Sequence, residues 1–137
     1  MGARRLPAAP LPILRAMARL VLFGQGVYYL VAGVWPLLHM RSFTATTGPK
    51  VDLWLVKTVG TLIAVIGGVL TLSALRRRSP AEVPLLAAAA ALALAAIEVI
   101  YVRRSRISPI YLLDAVVEGV LVLALLIGLT RRPEEDY

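Results

Sequence analysis

Of the eight Asp and Glu residues in this chain, three, Glu98, Asp114 and Glu118, sit inside runs that are otherwise apolar. Asp114 and Glu118 are four residues apart, which stacks them on one face of a helix, with Tyr111 one turn from Asp114. Carboxyls gathered in apolar surroundings are the groups from which general acids, general bases and hydrogen-bonding ligand sites are made. Lys57, early in another apolar run, is the one cation placed to partner all three, so full ionisation would leave charge unpaired. His39, Trp35, Trp54 and Tyr101 fall at similar levels in the chain, and Tyr28 and Tyr29 lie deeper in the first apolar run. The candidate acid–base or ligand-binding set is therefore Glu118, Asp114 and Glu98. Lys57, His39, Tyr28, Tyr29, Tyr101, Tyr111, Trp35 and Trp54 are its candidate ligand-contacting neighbours.

Other chemistries lack their signatures. The chain has no cysteine and a single histidine, and its acids and His39 show neither HxxxH nor ExxH spacing, so no metal site is expected. No Ser–His–acid arrangement, phosphate-binding glycine loop or dinucleotide fingerprint occurs, and no cofactor is expected. Gly24-Gln25-Gly26 reads as helix packing.

The elements that carry these residues follow from hydropathy. Hydrophobic residues make up 59% of the 137 positions, mean hydropathy is +0.79 and charged residues are 17%. Soluble domains usually hold about 45–50% apolar residues; a chain this short cannot bury the excess in a core of its own. A spanning helix needs about 20 apolar residues, and four segments qualify: 17–38, 53–75, 83–102 and 109–129. Short linkers make consecutive spans antiparallel, so the expected fold is an all-α, up-down four-helix bundle integral to a membrane. Residues 1–16 read as a mobile basic, Pro/Ala-rich leader before a retained first helix, and 130–137 as an acidic cytoplasmic tail.

Charge placement agrees with this reading. A formal charge of +7 could signal nucleic acid, but most of the Lys and Arg residues cluster beside the apolar runs, as membrane proteins flank their spans. A nucleic-acid interface would need one basic face with stacking aromatics, and none is expected here. Nine basic residues fall on the side of the N-terminus, second linker and C-terminus, against five on the other. The positive-inside rule then places both termini in the cytoplasm.

Rise per residue sets the depth of the acids. At 1.5 Å per residue, Glu98 and Lys57 lie about 6 Å inside their span ends, Asp114 about 7.5 Å and Glu118 about 13 Å, near the midplane. Glu118 is level with Tyr28 and Tyr29, about 13–15 Å below Leu38, one of which is expected to hydrogen-bond it. All belong to the same half of the bundle, the outer half on this topology, while the opposite halves of spans two to four carry no charge. The pattern suggests a carboxylate-lined polar cavity open to one leaflet above an apolar plug. A plainer reading has Lys57 paired with Glu98 or Asp114 to fix helix register, His39 and Asp52 as solvated ends, and Trp35, Trp54 and Tyr101 as an aromatic belt.

Gly60, Ala64 and Gly68 in the second span and Ala87, Ala91 and Ala95 in the third recur at four-residue spacing, which predicts close packing of these two spans. The first linker, with Phe43 and the run Thr44 to Pro49, reads as a turn-rich loop that either covers the cavity mouth or anchors at the interface.

The stretch GVWPLLHMRSFTATTGPKVDLWLVKTVG resembles a segment of small bacterial membrane proteins, and four short spans with a polar pocket resemble the DoxX-like four-helix membrane proteins. The resemblance implies a bacterial inner-membrane, multi-pass location and transfers no functional residue. Three functions stay open: a bundle that binds or acts on an amphipathic, lipid-like small molecule; an accessory or scaffold subunit docking on a partner membrane protein or a second copy; and an oligomeric proton-coupled transporter.

Overall fold

In a computed structural model of the full chain, residues 11–76 and 80–130 are described, and all of the regular structure among them is helical. The elements are α1 (Leu11–Leu38), α2 (Met40–Thr47), α3 (Leu53–Leu75), α4 (Glu82–Arg103) and α5 (Tyr111–Thr130). Four of them are long and apolar enough to cross a membrane: Arg15–Leu38, Leu53–Leu75, Glu82–Arg103 and Tyr111–Gly128. The protein is an all-α, four-helix bundle of membrane-spanning character. The four expected spans are present with ends within two residues, except the first. There α1 is already helical at Leu11, six residues before the expected start, because apolar Pro-Ile-Leu continues the helical run backwards through Arg15. Residues 1–10 and the tail from 131 onward lie outside the described residues.

Pro36 neither ends nor breaks α1, which runs on to Leu38 with Pro36 buried. The break comes at His39, where a new helix begins. His39 caps α2: its Nδ1 accepts the Ser42 N–H at 3.2 Å, satisfying one of the donors that a helix start leaves free. The expected loop is therefore partly a short helix. Phe43 on α2 packs edge-on against Trp35 at 5.5 Å between ring centroids, and Trp35 Nε1 donates to Ser42 Oγ at 2.9 Å. Gly48 ends α2 at a φ of 96°, a backbone region that side-chain-bearing residues seldom adopt.

The helices pair differently from the expectation. The glycines of α3 pack on α1, while α3 and α4 make only slight contact. A Cβ added to Gly67 would lie 2.6 Å from the Gly26 carbonyl oxygen and the Leu30 nitrogen; one added to Gly60 would lie 2.7 Å from the Gly33 carbonyl oxygen. Gly26 and Gly33 on α1, seven apart, thus meet Gly67 and Gly60 on antiparallel α3, also seven apart, backbone against backbone. Without a hydrophobic drive between helices in lipid, such close approach supplies the association energy. Gly68, expected in the ridge, touches only the tip of Leu30, at 3.9 Å. The sequence spacing correctly marked a small-residue seam but not the helix across it, since α1 carries glycines seven apart rather than four. Arg19 secures the far end of this pair by donating from Nε to the Ala74 carbonyl at 3.1 Å, near the α3 C-terminus.

The second pair is α4 with α5, and α1 joins the two pairs by touching α5 and, less extensively, α4. Leu22 and Tyr29 of α1, Leu70 and Ala74 of α3, Ala87 of α4 and Leu125 of α5 form the buried core. In the α4–α5 connection, Ser105 follows the capping Arg104 at a φ of 54°. Ser105 N–H donates to the Val102 carbonyl at 3.0 Å and Arg106 N–H to the Tyr101 carbonyl at 2.9 Å, the pair of bonds that closes a helix through one left-handed residue.

Candidate functional site

The polar cluster is built from α1, α4 and α5, in the half of the bundle nearest α2 and the α4–α5 connection. On α5, Asp114 and Glu118 stack one turn apart and face α1. Two consecutive α1 residues reach them: Tyr28 O–H donates to Asp114 Oδ1, and Tyr29 O–H donates to Glu118 Oε2 at 2.8 Å. The two tyrosine rings sit 6.2 Å apart. A Cβ added to Gly67 of α3 would lie 2.9 Å from the Tyr29 Cβ, so the bare glycine is what leaves room for Tyr29 at this level of α1.

Glu118 and Glu98 are both buried, at 1% and 6% exposure, and Asp114 is half-buried. Glu98 projects from α4 on the face that also buries Ala87 and Ala91, within electrostatic range of Tyr29 and Glu118. Its Oε2 is buried and has no hydrogen-bond partner among the described residues.

Lys57 is not part of this cluster. Its residue is exposed on α3, and α3 is separated from α5 by α1, so the expected ion pair with Glu98 or Asp114 does not form. The reason is the pairing order: only helices adjacent to α5 can offer it partners, and α3 is not one. Tyr28 holds Asp114 where the lysine was expected, and Tyr29 holds Glu118 as the depth of the two tyrosines suggests. His39 is likewise exposed and spent on capping α2. Trp54 and Tyr101 are exposed at span ends, and Trp35 is engaged with α2, as an aromatic belt would have them. Tyr111 stands over Lys50, whose Nζ lies 5.2 Å from the ring centre, a cation–π contact that ties the first linker to the start of α5. The structure thus brings together Tyr28, Tyr29, Glu98, Asp114 and Glu118, and leaves Lys57, His39, Trp35, Trp54, Tyr101 and Tyr111 outside their immediate contacts.

Gln25 belongs to the cluster although its sequence neighbourhood reads as packing. It is fully buried, one turn before Tyr29 on α1 and beside the Tyr29 hydroxyl. Its Nε2 donates to the Ala87 carbonyl at 2.9 Å, which leaves its buried Oε1 without a partner. The available signal was an amide in the middle of a spanning helix, four residues from a tyrosine. Gly24, by contrast, has nothing within 4 Å of its virtual Cβ.

Comparison with known proteins adds no relative: no family model, no curated protein and no solved structure matches this chain.

Chemically, the arrangement offers two carboxyl groups already held by phenols, a third carboxyl with a free buried oxygen, and a buried amide oxygen. It can accept hydrogen bonds, and the two Tyr–carboxyl pairs can hold or pass a proton between neighbouring oxygens.

Proposed function

We propose that this protein is a multi-pass membrane protein, with both termini in the cytoplasm of a bacterial cell and a DoxX-like architecture, that binds or acts on an amphipathic, lipid-like molecule. Its polar head meets Glu98, Asp114 and Glu118, and its apolar part lies between helices. The observation that carries the reading is the pair of tyrosine–carboxyl bonds on successive turns of α5, with the unsatisfied Glu98 oxygen facing the same interior. Intramembrane acids are expensive to bury and ordinarily serve a ligand, an ion or a proton. A purely structural network would be expected to pair every oxygen. The test is extraction of the purified protein followed by mass spectrometry of the bound small molecules. A lipid-like compound retained by the wild type and lost from Glu98→Ala and Asp114→Ala supports the reading; identical lipid content in all three overturns it.

A second reading, an accessory subunit docking on a partner or a second copy, is favoured by one feature. Ala89, Ala93 and Ala96 lie exposed along α4, a small-residue face of the kind that packs against another helix. Cysteines introduced at 89 and 93 that cross-link in native membranes would support it.

A further inference from the structure

The hydrogen-bond inventory of the cluster is lopsided. Its donors are the phenols of Tyr28 and Tyr29, both committed to carboxyl groups, and the Gln25 amide nitrogen, which gives one N–H to the Ala87 carbonyl and lies beside the Tyr29 hydroxyl. The bond to Ala87 fixes the orientation of the amide. A carbonyl oxygen can only accept, so nitrogen must face Ala87 and Gln25 Oε1 must face elsewhere. Two buried acceptors are left over, Gln25 Oε1 on α1 and Glu98 Oε2 on α4, and both side chains neighbour Tyr29. Leaving such atoms unpaired in a low-dielectric interior is costly, and native structures tolerate few of them. The cluster holds three acids and, among the described residues, no Lys or Arg side chain bonded to any of them; Lys57, the expected partner, is exposed on α3.

From this we infer that the cluster takes a lipophilic ammonium, a protonated amine on an apolar stem, whose N–H groups donate to Glu98 Oε2 and Gln25 Oε1. The inference rests on the ligand-binding reading above and names its chemical class. A neutral hydroxyl has one hydrogen to donate and could satisfy only one of the two acceptors. A quaternary ammonium would balance charge but has no N–H to donate. A metal ion fits poorly, because among the described residues no three His, Asp or Glu side chains converge on one point. An ammonium carries an N–H for each acceptor and a charge that a neighbouring carboxyl can meet by ionising. The apolar stem follows from the surroundings: Ala87, Ala91, Leu22 and Leu125, on the same helices, are buried apolar residues, so the ligand's remainder has to be apolar too.

The experiment uses the full chain in lipid nanodiscs at pH 7 and isothermal titration with three rigid probes, 1-aminoadamantane, 1-adamantanol and N,N,N-trimethyl-1-adamantylammonium. The amine is expected to bind saturably, at least about tenfold more tightly than the alcohol or the quaternary ion, since charge-assisted hydrogen bonds are roughly twice as strong as neutral ones. Glu98→Gln and Gln25→Leu should each weaken the amine by about tenfold or more, and Lys57→Gln should bind like the wild type. Thermal unfolding confirms that each variant is folded, and because two variants on different helices carry the claim, loss of one fold leaves the other decisive. Equal affinity for amine and alcohol, or amine binding unaffected by Glu98→Gln and Gln25→Leu, overturns the ammonium assignment while leaving an apolar ligand site standing. Absence of saturable binding by all three probes overturns both.

Discussion

The Tyr29 hydroxyl donates a 2.8 Å hydrogen bond to Glu118 Oε2, joining α1 to α5 through two side chains that are each 1% exposed. Its energetic weight lies mostly in what breaking it would leave behind, a buried phenol or carboxyl with no partner. Glu118→Gln keeps a side-chain oxygen that can accept from Tyr29, and should fold with little loss of stability. Glu118→Leu removes the acceptor and strands the phenol, with an expected loss of about 1–3 kcal/mol. Thermal unfolding in detergent compares the two; equal midpoints for Gln and Leu would show that the bond contributes nothing.

The α1–α3 seam gives the second expectation. Gly67→Ala places a methyl carbon 2.6 Å from two backbone atoms of α1, which the helices can relieve only by moving apart. A loss of about 1–3 kcal/mol is expected from this overpacking. Gly24→Ala, where the virtual Cβ meets nothing within 4 Å, should be silent or slightly stabilising. The contrast between two glycines of neighbouring helices is the check: matching unfolding midpoints would place the seam elsewhere.

Ser105 holds the left-handed position that closes α4, where glycine is the usual occupant. Replacing it by glycine removes the clash between Cβ and backbone and should stabilise the bundle, by up to about 1 kcal/mol. Ser105→Val, branched at Cβ, should do the reverse. Both are read by the same unfolding measurement, and a destabilised glycine variant would mean that the serine side chain has a role of its own.

Topology is testable without purification. With both termini cytoplasmic, cysteine introduced at position 46, on α2, should react with an impermeant maleimide added outside the cell, and cysteine at 135 should not. Labelling of position 46 from the cytoplasmic side alone would invert the protein in the membrane and move the carboxyl cluster to the inner leaflet.

Much of this architecture is legible in one dimension. A run of about 20 apolar residues has few fates in water or lipid, so α3 over Leu53–Leu75, α4 over Glu82–Arg103 and α5 over Tyr111–Thr130 follow closely from hydropathy. Depth is also a one-dimensional quantity, fixed by 1.5 Å per residue. That is why Tyr28 and Tyr29 could be set level with Glu118 before any helix was placed beside another. Lateral order is not contained in either measure. Every span is apolar on most faces, and in lipid a helix gains no hydrophobic energy by choosing one neighbour over another. The choice falls to the fit of small surfaces, and the Gly26–Gly67 and Gly33–Gly60 contacts put α1 between α3 and α5. That single decision exposed Lys57, gave Asp114 a tyrosine in place of a cation, and drew Gln25 into the cluster with its oxygen unpaired among the described residues.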